Sequence, residues 1–218
     1  MNQAIFHNKH FSSKMLVVFV LLFGLVRCSS SSITHSWRSE NTEKKHYNNI
    51  MVVGIAKIAD HDLREKMEAH LANDLNENGI KTVSSLKTYG PNSFENVNDK
   101  SILNQLQQDH IDALLTIVLL NKEKEKYYTP ARVHYTPYAI YYGNFWGYYT
   151  TIYERTYEQD YYTENTSYFW ESNLYDVATK KLIYSVQTKS FESSSTEKLA
   201  HEYGKLICAD MLKQNILQ

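Results

Sequence analysis

The sequence predicts an α+β domain in which a βαβαβ unit is followed by an antiparallel β-hairpin and a closing helix. Three observations carry this. Short Val/Ile/Leu-rich runs alternate with helix-period segments as far as Leu120, two later runs alternate apolar and polar residues, and the chain ends in one long amphipathic segment. Runs of the first kind suit strands buried on both faces; those of the second suit half-buried antiparallel strands. Helices packed on such a mixed sheet give a two-layer or three-layer sandwich.

The elements follow in order. Asn49–Ile55 (NIMVVGI) reads as a buried strand. Asp60–Asn78 places Leu63, Met67, Leu71 and Leu75 on one helical face, with Asp60 as N-cap and Asn78-Gly79 as the stop. Ile80–Leu86 is a weaker strand, expected at an edge. After a Gly90-Pro91-Asn92 turn, Asn98–His110 is a second helix using Ile102, Leu103 and Leu106. Asp112–Leu120 (DALLTIVLL) is the most hydrophobic run after residue 48 and reads as a central strand. Right-handed crossovers then place the first of these strands between the second and the third. Lys122–Lys126 alternates lysine and glutamate and reads as a solvated turn.

Further on, Thr166–Val177 and Lys181–Phe191 alternate with period two and are joined by a short turn, which defines a hairpin. Ser194–Leu217 is the closing helix, with a capping box Ser194-x-x-Glu197 and an inner face of Leu199, Tyr203, Leu206/Ile207, Asp210/Met211 and Gln214. Two of those inner positions, Asp210 and Gln214, are polar.

Ahead of the domain lies Met15–Ser32 (MLVVFVLLFGLVRCSSSS). Its uncharged core, Met15–Val26, is too short for a hydrocarbon layer that needs about 20 helical residues. It has the form of a secretory signal, and Cys28 directly after it points to acylation of that cysteine, as in a bacterial lipoprotein. Arg27 occupies the position just before Cys28, where a small residue is usual. That keeps two alternatives open: an ordinary signal cut among Ser29–Ser32, or an uncleaved anchor. The expected organisation is a signal peptide at 1–27, a flexible tether at 28–48 and a single domain at 49–218, with a Tyr-rich insert at about 127–165. Within the polar tether, Trp37 is expected to dock on the domain or to begin an edge strand.

That insert is the compositional peak, for 13 of the 18 tyrosines lie between Tyr127 and Tyr168. Its densest part supplies the candidate binding residues Tyr141, Tyr142, Phe145, Trp146, Tyr148 and Tyr149. Four readings compete: a surface hairpin or loop, an interaction surface of rigid rings, a platform stacking on sugars, and a membrane-inserting hairpin. Glu154, Arg155, Glu158, Gln159 and Asp160 argue against the last.

Composition excludes more than it assigns. A net charge of −1 and the balanced charges around the tyrosines argue against nucleic acid. Seven glycines provide no dinucleotide fingerprint, no P-loop and no nucleophile elbow, so no cofactor is expected. The histidines form no metal set; His61 and His70, nine residues apart, lie about 180° from each other on their helix. Cys208, between Ile207 and Ala209, reads as a small buried apolar residue. No catalytic constellation emerges, so no enzyme is expected.

The chain also resembles a family. Trp37, the strand IMVVGI, the helix LREKMEAHLANDL, the strand IDALLTIVL, a Tyr/Gly/Trp-rich insert and WESNLYDVATKKLIYSVQTKS with its closing helix are similar to small Gram-negative envelope lipoproteins of unknown function. Their layout is distantly similar to the curli-secretion-channel lipoprotein domain and to the N-terminal domain of the Tol-associated periplasmic protein. Asp176, Thr179, Lys181, Leu182 and Tyr184 match the signature D-x-x-T-G/K-K-L-x-W/Y. The resemblance spans roughly Trp37 to Leu212 and implies a non-enzymatic α+β domain. The leading expectation is an outer-membrane protein with a lipid anchor, facing periplasm or cell surface, that binds another envelope component, a protein or a glycan, through its Tyr-rich tract. A secreted glycan- or peptidoglycan-binding module is the alternative.

Overall fold

The computed structural model describes residues 30–40, 45–91, 94, 99–125, 165–191 and 195–217. It contains strands β1 (Ser31–Arg38), β2 (Ile50–Ile55), β3 (Thr82–Ser84), β4 (Ala113–Glu125), β5 (Asn165–Asp176) and β6 (Leu182–Phe191). Its helices are α1 (His61–Glu77), α2 (Ser85–Tyr89), α3 (Asp99–Gln108) and α4 (Thr196–Lys213). The six strands form one mixed sheet in the order β1-β6-β5-β4-β2-β3. β2 lies between β3 and β4 and is parallel to both, as the crossover rule requires; the remaining pairings are antiparallel.

Two apolar layers sandwich the sheet. On one face Leu63, Met67, Leu71 and Leu75 of α1 and Leu199, Tyr203, Ile207 and Met211 of α4 pack over Val52, Leu115, Ile117, Trp170, Tyr184 and Val186. On the other face Ile102 and Leu106 of α3, with Phe94, cover Met51, Val53, Leu114, Val118 and Tyr175. β4 therefore buries both of its faces in the stretch 113–119, which is why that run has no alternation.

Several boundaries move. The stretch 28–48, expected as a flexible tether, contains edge strand β1 (Ser31–Arg38), paired along β6 through Trp37↔Ser185 and Ser31↔Ser190. Its polar composition hid it, because an edge strand with one face toward solvent carries little apolar signal. Lys122–Glu125 is not a turn but the end of β4, paired with Asn165–Tyr168. A lysine-glutamate alternation also has period two, and Lys122 is held from outside the ladder by Asp60 at 3.0 Å. With its carboxylate so engaged, Asp60 makes no side-chain cap on α1. Strand β3 is only three residues long, since Ser84 caps α2 by accepting from the Lys87 N–H. The N-cap of α4 is Ser195, which accepts from the Lys198 N–H at 3.1 Å, rather than Ser194. The stop after α1 stands as expected, with Gly79 at φ 82°.

Candidate functional site

Cys28 and the ring candidates Tyr141, Tyr142, Phe145, Trp146, Tyr148 and Tyr149 lie outside the described residues. What the fold does place is where the chain goes out to them and comes back. Strand β1 begins, β6 ends, β5 begins and β4 ends at one and the same end of the sheet, with Glu125 opposite Asn165 and Phe191 opposite Ser167. The chain arriving from Cys28 and both ends of segment 126–164 therefore meet the domain on a single edge. Ser31, Ser190, Tyr168 and Lys122 lie in one cross-strand row. At a strand spacing of about 4.8 Å and a rise of about 3.3 Å per residue, Ser31 and Glu125 are separated by roughly 15–20 Å.

The first described residue after Cys28 is held firmly. Both the N–H and the hydroxyl of Ser30 donate to the Glu202 carboxylate on α4, the former at 3.2 Å. The Ser30 carbonyl accepts from the Phe191 N–H at 2.9 Å, and the Ser31 and Ser190 hydroxyls meet at 2.7 Å. The same edge carries a group that sequence reading missed. Lys189 sets its ammonium 5.3 Å from the Phe169 ring centre and 4.9 Å from that of Phe191, and Phe191 is 53% exposed. Period-two alternation puts Lys189 on the polar face of the hairpin and Phe191 at its end, and gives Phe169 no role. Their convergence depends on the β5–β6 register, in which Phe169 faces Lys189.

The buried carboxylates are engaged in holding elements together. Glu68 accepts from Gly54 N–H and Ser84 Oγ at 2.7 Å each, and from Leu86 N–H at 3.0 Å. Asp210 accepts from Tyr184 Oη at 2.7 Å and Ser36 Oγ at 2.6 Å. Glu171 accepts from Asn173 Nδ2 and Gln187 Nε2. Asp176 closes the β5–β6 turn by accepting from the Thr179 N–H at 2.7 Å and its hydroxyl at 2.8 Å, and it also accepts from Lys45. Burial pushes the Asp176 carboxyl up, but the Lys45 and Thr179 hydrogen bonds, with the Lys45 charge, outweigh it and hold the group below the usual carboxylate range. The signature residues thus serve a turn and a helix–sheet contact.

Cys208 is buried, and burial with the nearby Asp74 charge pushes its thiol up to about 11. His70 Nε2 lies 2.6 Å from Glu197 Oε1, with the His201 ring edge-on to that of His70. Among the described residues no group of three or more His, Cys, Asp or Glu could hold a metal ion. None of their helices is long and apolar enough to cross a membrane, which says nothing of membrane-crossing strands.

No family model matches the sequence, and no curated protein does. The chain is distantly similar to solved structures. One is the PelC dodecamer from Paraburkholderia phytofirmans, with a TM-score of 0.43 and 11% identity over 82% of this chain and 95% of that one. Another is lipoprotein GNA1162 from Neisseria meningitidis, with a TM-score of 0.39 and 14% identity over 76% of this chain and 98% of that one.

Proposed function

We propose that this chain is a cell-envelope protein of the outer membrane, anchored by acylation of Cys28. Its α+β domain binds another envelope component through the Tyr-rich segment around Tyr141–Tyr149, and it has no catalytic role. One observation carries the reading: the chain coming from Cys28 and the two ends of segment 126–164 reach the domain on the same edge of the sheet. Anchor and binding segment on one edge suit a protein that meets its partner at the membrane surface. The hydrogen bonds of Glu68, Asp176 and Asp210 support a structural rather than a catalytic use of the buried carboxylates.

Two measurements test it. Wild type is expected to incorporate labelled palmitate and to fractionate with membranes, and Cys28→Ala to do neither. Retention of both properties by the variant would refute the anchor. Deletion of 135–162 is expected to leave the domain folded by circular dichroism while abolishing a crosslinked envelope partner; unchanged crosslinking would refute the binding role.

A further inference from the structure

We propose that Phe191, Lys189 and Phe169 form a bilayer-contacting patch that sets the orientation of the domain on the membrane, a reading that rests on the acylation of Cys28 proposed above. One residue, Ser29, lies between Cys28 and Ser30, and the two steps of chain span at most about 7 Å. Ser30 is fixed to Glu202, and its carbonyl accepts from the N–H of Phe191. An acyl chain on Cys28 therefore brings this edge of the sheet against the headgroups, because β1 occupies the stretch where a tether would have allowed the domain to stand off.

The chemistry of the edge suits that location. Phe191 and Leu212 are the large apolar side chains left exposed among the described residues, and Phe191 is the one beside the anchor. Lys189 places its cation over the Phe191 and Phe169 rings, an arrangement in which rings enter the interfacial layer and an ammonium reaches phosphate oxygens. Two carboxylates near the edge are partnered within the domain: Glu202 with Ser30 and Lys198, and Glu123 with Asn121. Leu212 lies at the opposite end. Strand β1 and helix α4 run in the same direction, with Ser30 at Glu202, Ser36 at Asp210 and Arg38 at Gln214. An eight-residue strand puts the two ends about 25 Å apart. A second interfacial contact of this kind adds affinity to an acyl anchor and fixes which way the domain faces.

The test uses the full acylated chain in vesicles of phosphatidylethanolamine and phosphatidylglycerol. Nitroxide labels are placed at Phe191→Cys and, separately, at Leu212→Cys; Cys208 is buried and stays unlabelled. Mass spectrometry first establishes acylation of Cys28. The label at 191 is expected to be accessible to oxygen and shielded from a water-soluble nickel complex, and the label at 212 to be open to nickel. In acylated protein carrying Phe191→Asp, transfer between vesicles is expected to be roughly tenfold faster. Acylated protein with both labels equally open to nickel would overturn the patch and leave the anchor standing. A label at 191 shielded from both reagents would overturn it in favour of a protein contact. An unacylated Cys28 would remove anchor and patch together.

Discussion

The Tyr184 hydroxyl on β6 donates to the Asp210 carboxylate on α4 at 2.7 Å, and the Ser36 hydroxyl of β1 donates to the same oxygen at 2.6 Å. One buried carboxylate thus joins the closing helix to the two strands at the β1 edge. Burial, then the Asp210 hydrogen bond and charge, push the Tyr184 phenol far above its usual range, so it stays protonated and donating. Tyr184→Phe is expected to cost about 2 kcal/mol by removing one donor from a buried charge. Asp210→Ala, which orphans two hydroxyls, should cost about 3 kcal/mol. Because the two changes break one contact, the double variant should lose less than the sum, which urea denaturation of the four proteins would measure.

That contact also marks where sequence reading stopped. Asp210 and Gln214 were visible as polar positions on the inner face of the last helix, and both turn out to meet β1, through Ser36 and Arg38. Their partner strand was legible only at Trp37, expected at the start of an edge strand and found next to the end of one, because SSITHSWR carries neither a long apolar run nor strict alternation. Strand β2 and the first part of β4 were legible since burial on both faces leaves mostly β-branched and aliphatic residues. Segment ends were less so, as a lysine-glutamate alternation fits a strand and a solvated turn alike. At the candidate site, Cys28 is nominated by its place after an apolar run and lies outside the described residues. The Lys189–Phe191–Phe169 group was not legible, because it exists only in the cross-strand register.

Lys180 adopts φ 61° in the β5–β6 turn, a left-handed conformation that a side chain with Cβ enters at a cost. Glycine is the residue that enters this conformation at least cost. Lys180→Gly is expected to stabilise the domain by about 0.5–1 kcal/mol, the relief of strain exceeding the entropy that glycine adds to the unfolded chain. A thermal melt should rise by about 2 °C. An unchanged or lower midpoint would show that the turn tolerates lysine without strain.

Asp74 and Asp176 should give opposite pH dependences. Asp176 is held below the ordinary carboxyl range, so its contribution is present above the unfolded pKa and is lost as pH falls through the folded one. Asp74, between α1 and α4, has an unpartnered buried Oδ2, and an added Cβ on Gly204 would meet it at 2.2 Å. Burial, with Glu77 adding, raises its carboxyl against the opposing pull of His201, His70 and Lys205. Its contribution is therefore present below the unfolded pKa and is lost as pH rises through the raised one. Asp74→Asn should stabilise the domain at pH 7 and remove that decline, while Asp176→Asn should destabilise at pH 7 and blunt the loss in acid. Urea midpoints from pH 3 to 8 would show both.

Glu68 offers the sharpest test of whether a buried carboxylate holds the α1 side of the sheet. It is fully buried and accepts from Gly54 N–H, Leu86 N–H, Ser84 Oγ, Ser85 Oγ and Arg64 Nε, so all five of these partners are donors. Glutamine has nearly the same shape but turns an N–H₂ toward some of these donors, leaving them unpaired in a site closed to water. Glu68→Gln is expected to cost about 3 kcal/mol or more. Amide exchange at Gly54 and Leu86 should accelerate more than in the rest of β2, since these two N–H groups lose their acceptor directly. Lys66→Ala, which removes the partly exposed Asp62 pair one turn away, should change stability by no more than about 0.5 kcal/mol. If both variants cost the same small amount, solvent reaches Glu68 and the carboxylate is not what joins α1 to the ends of β2 and β3.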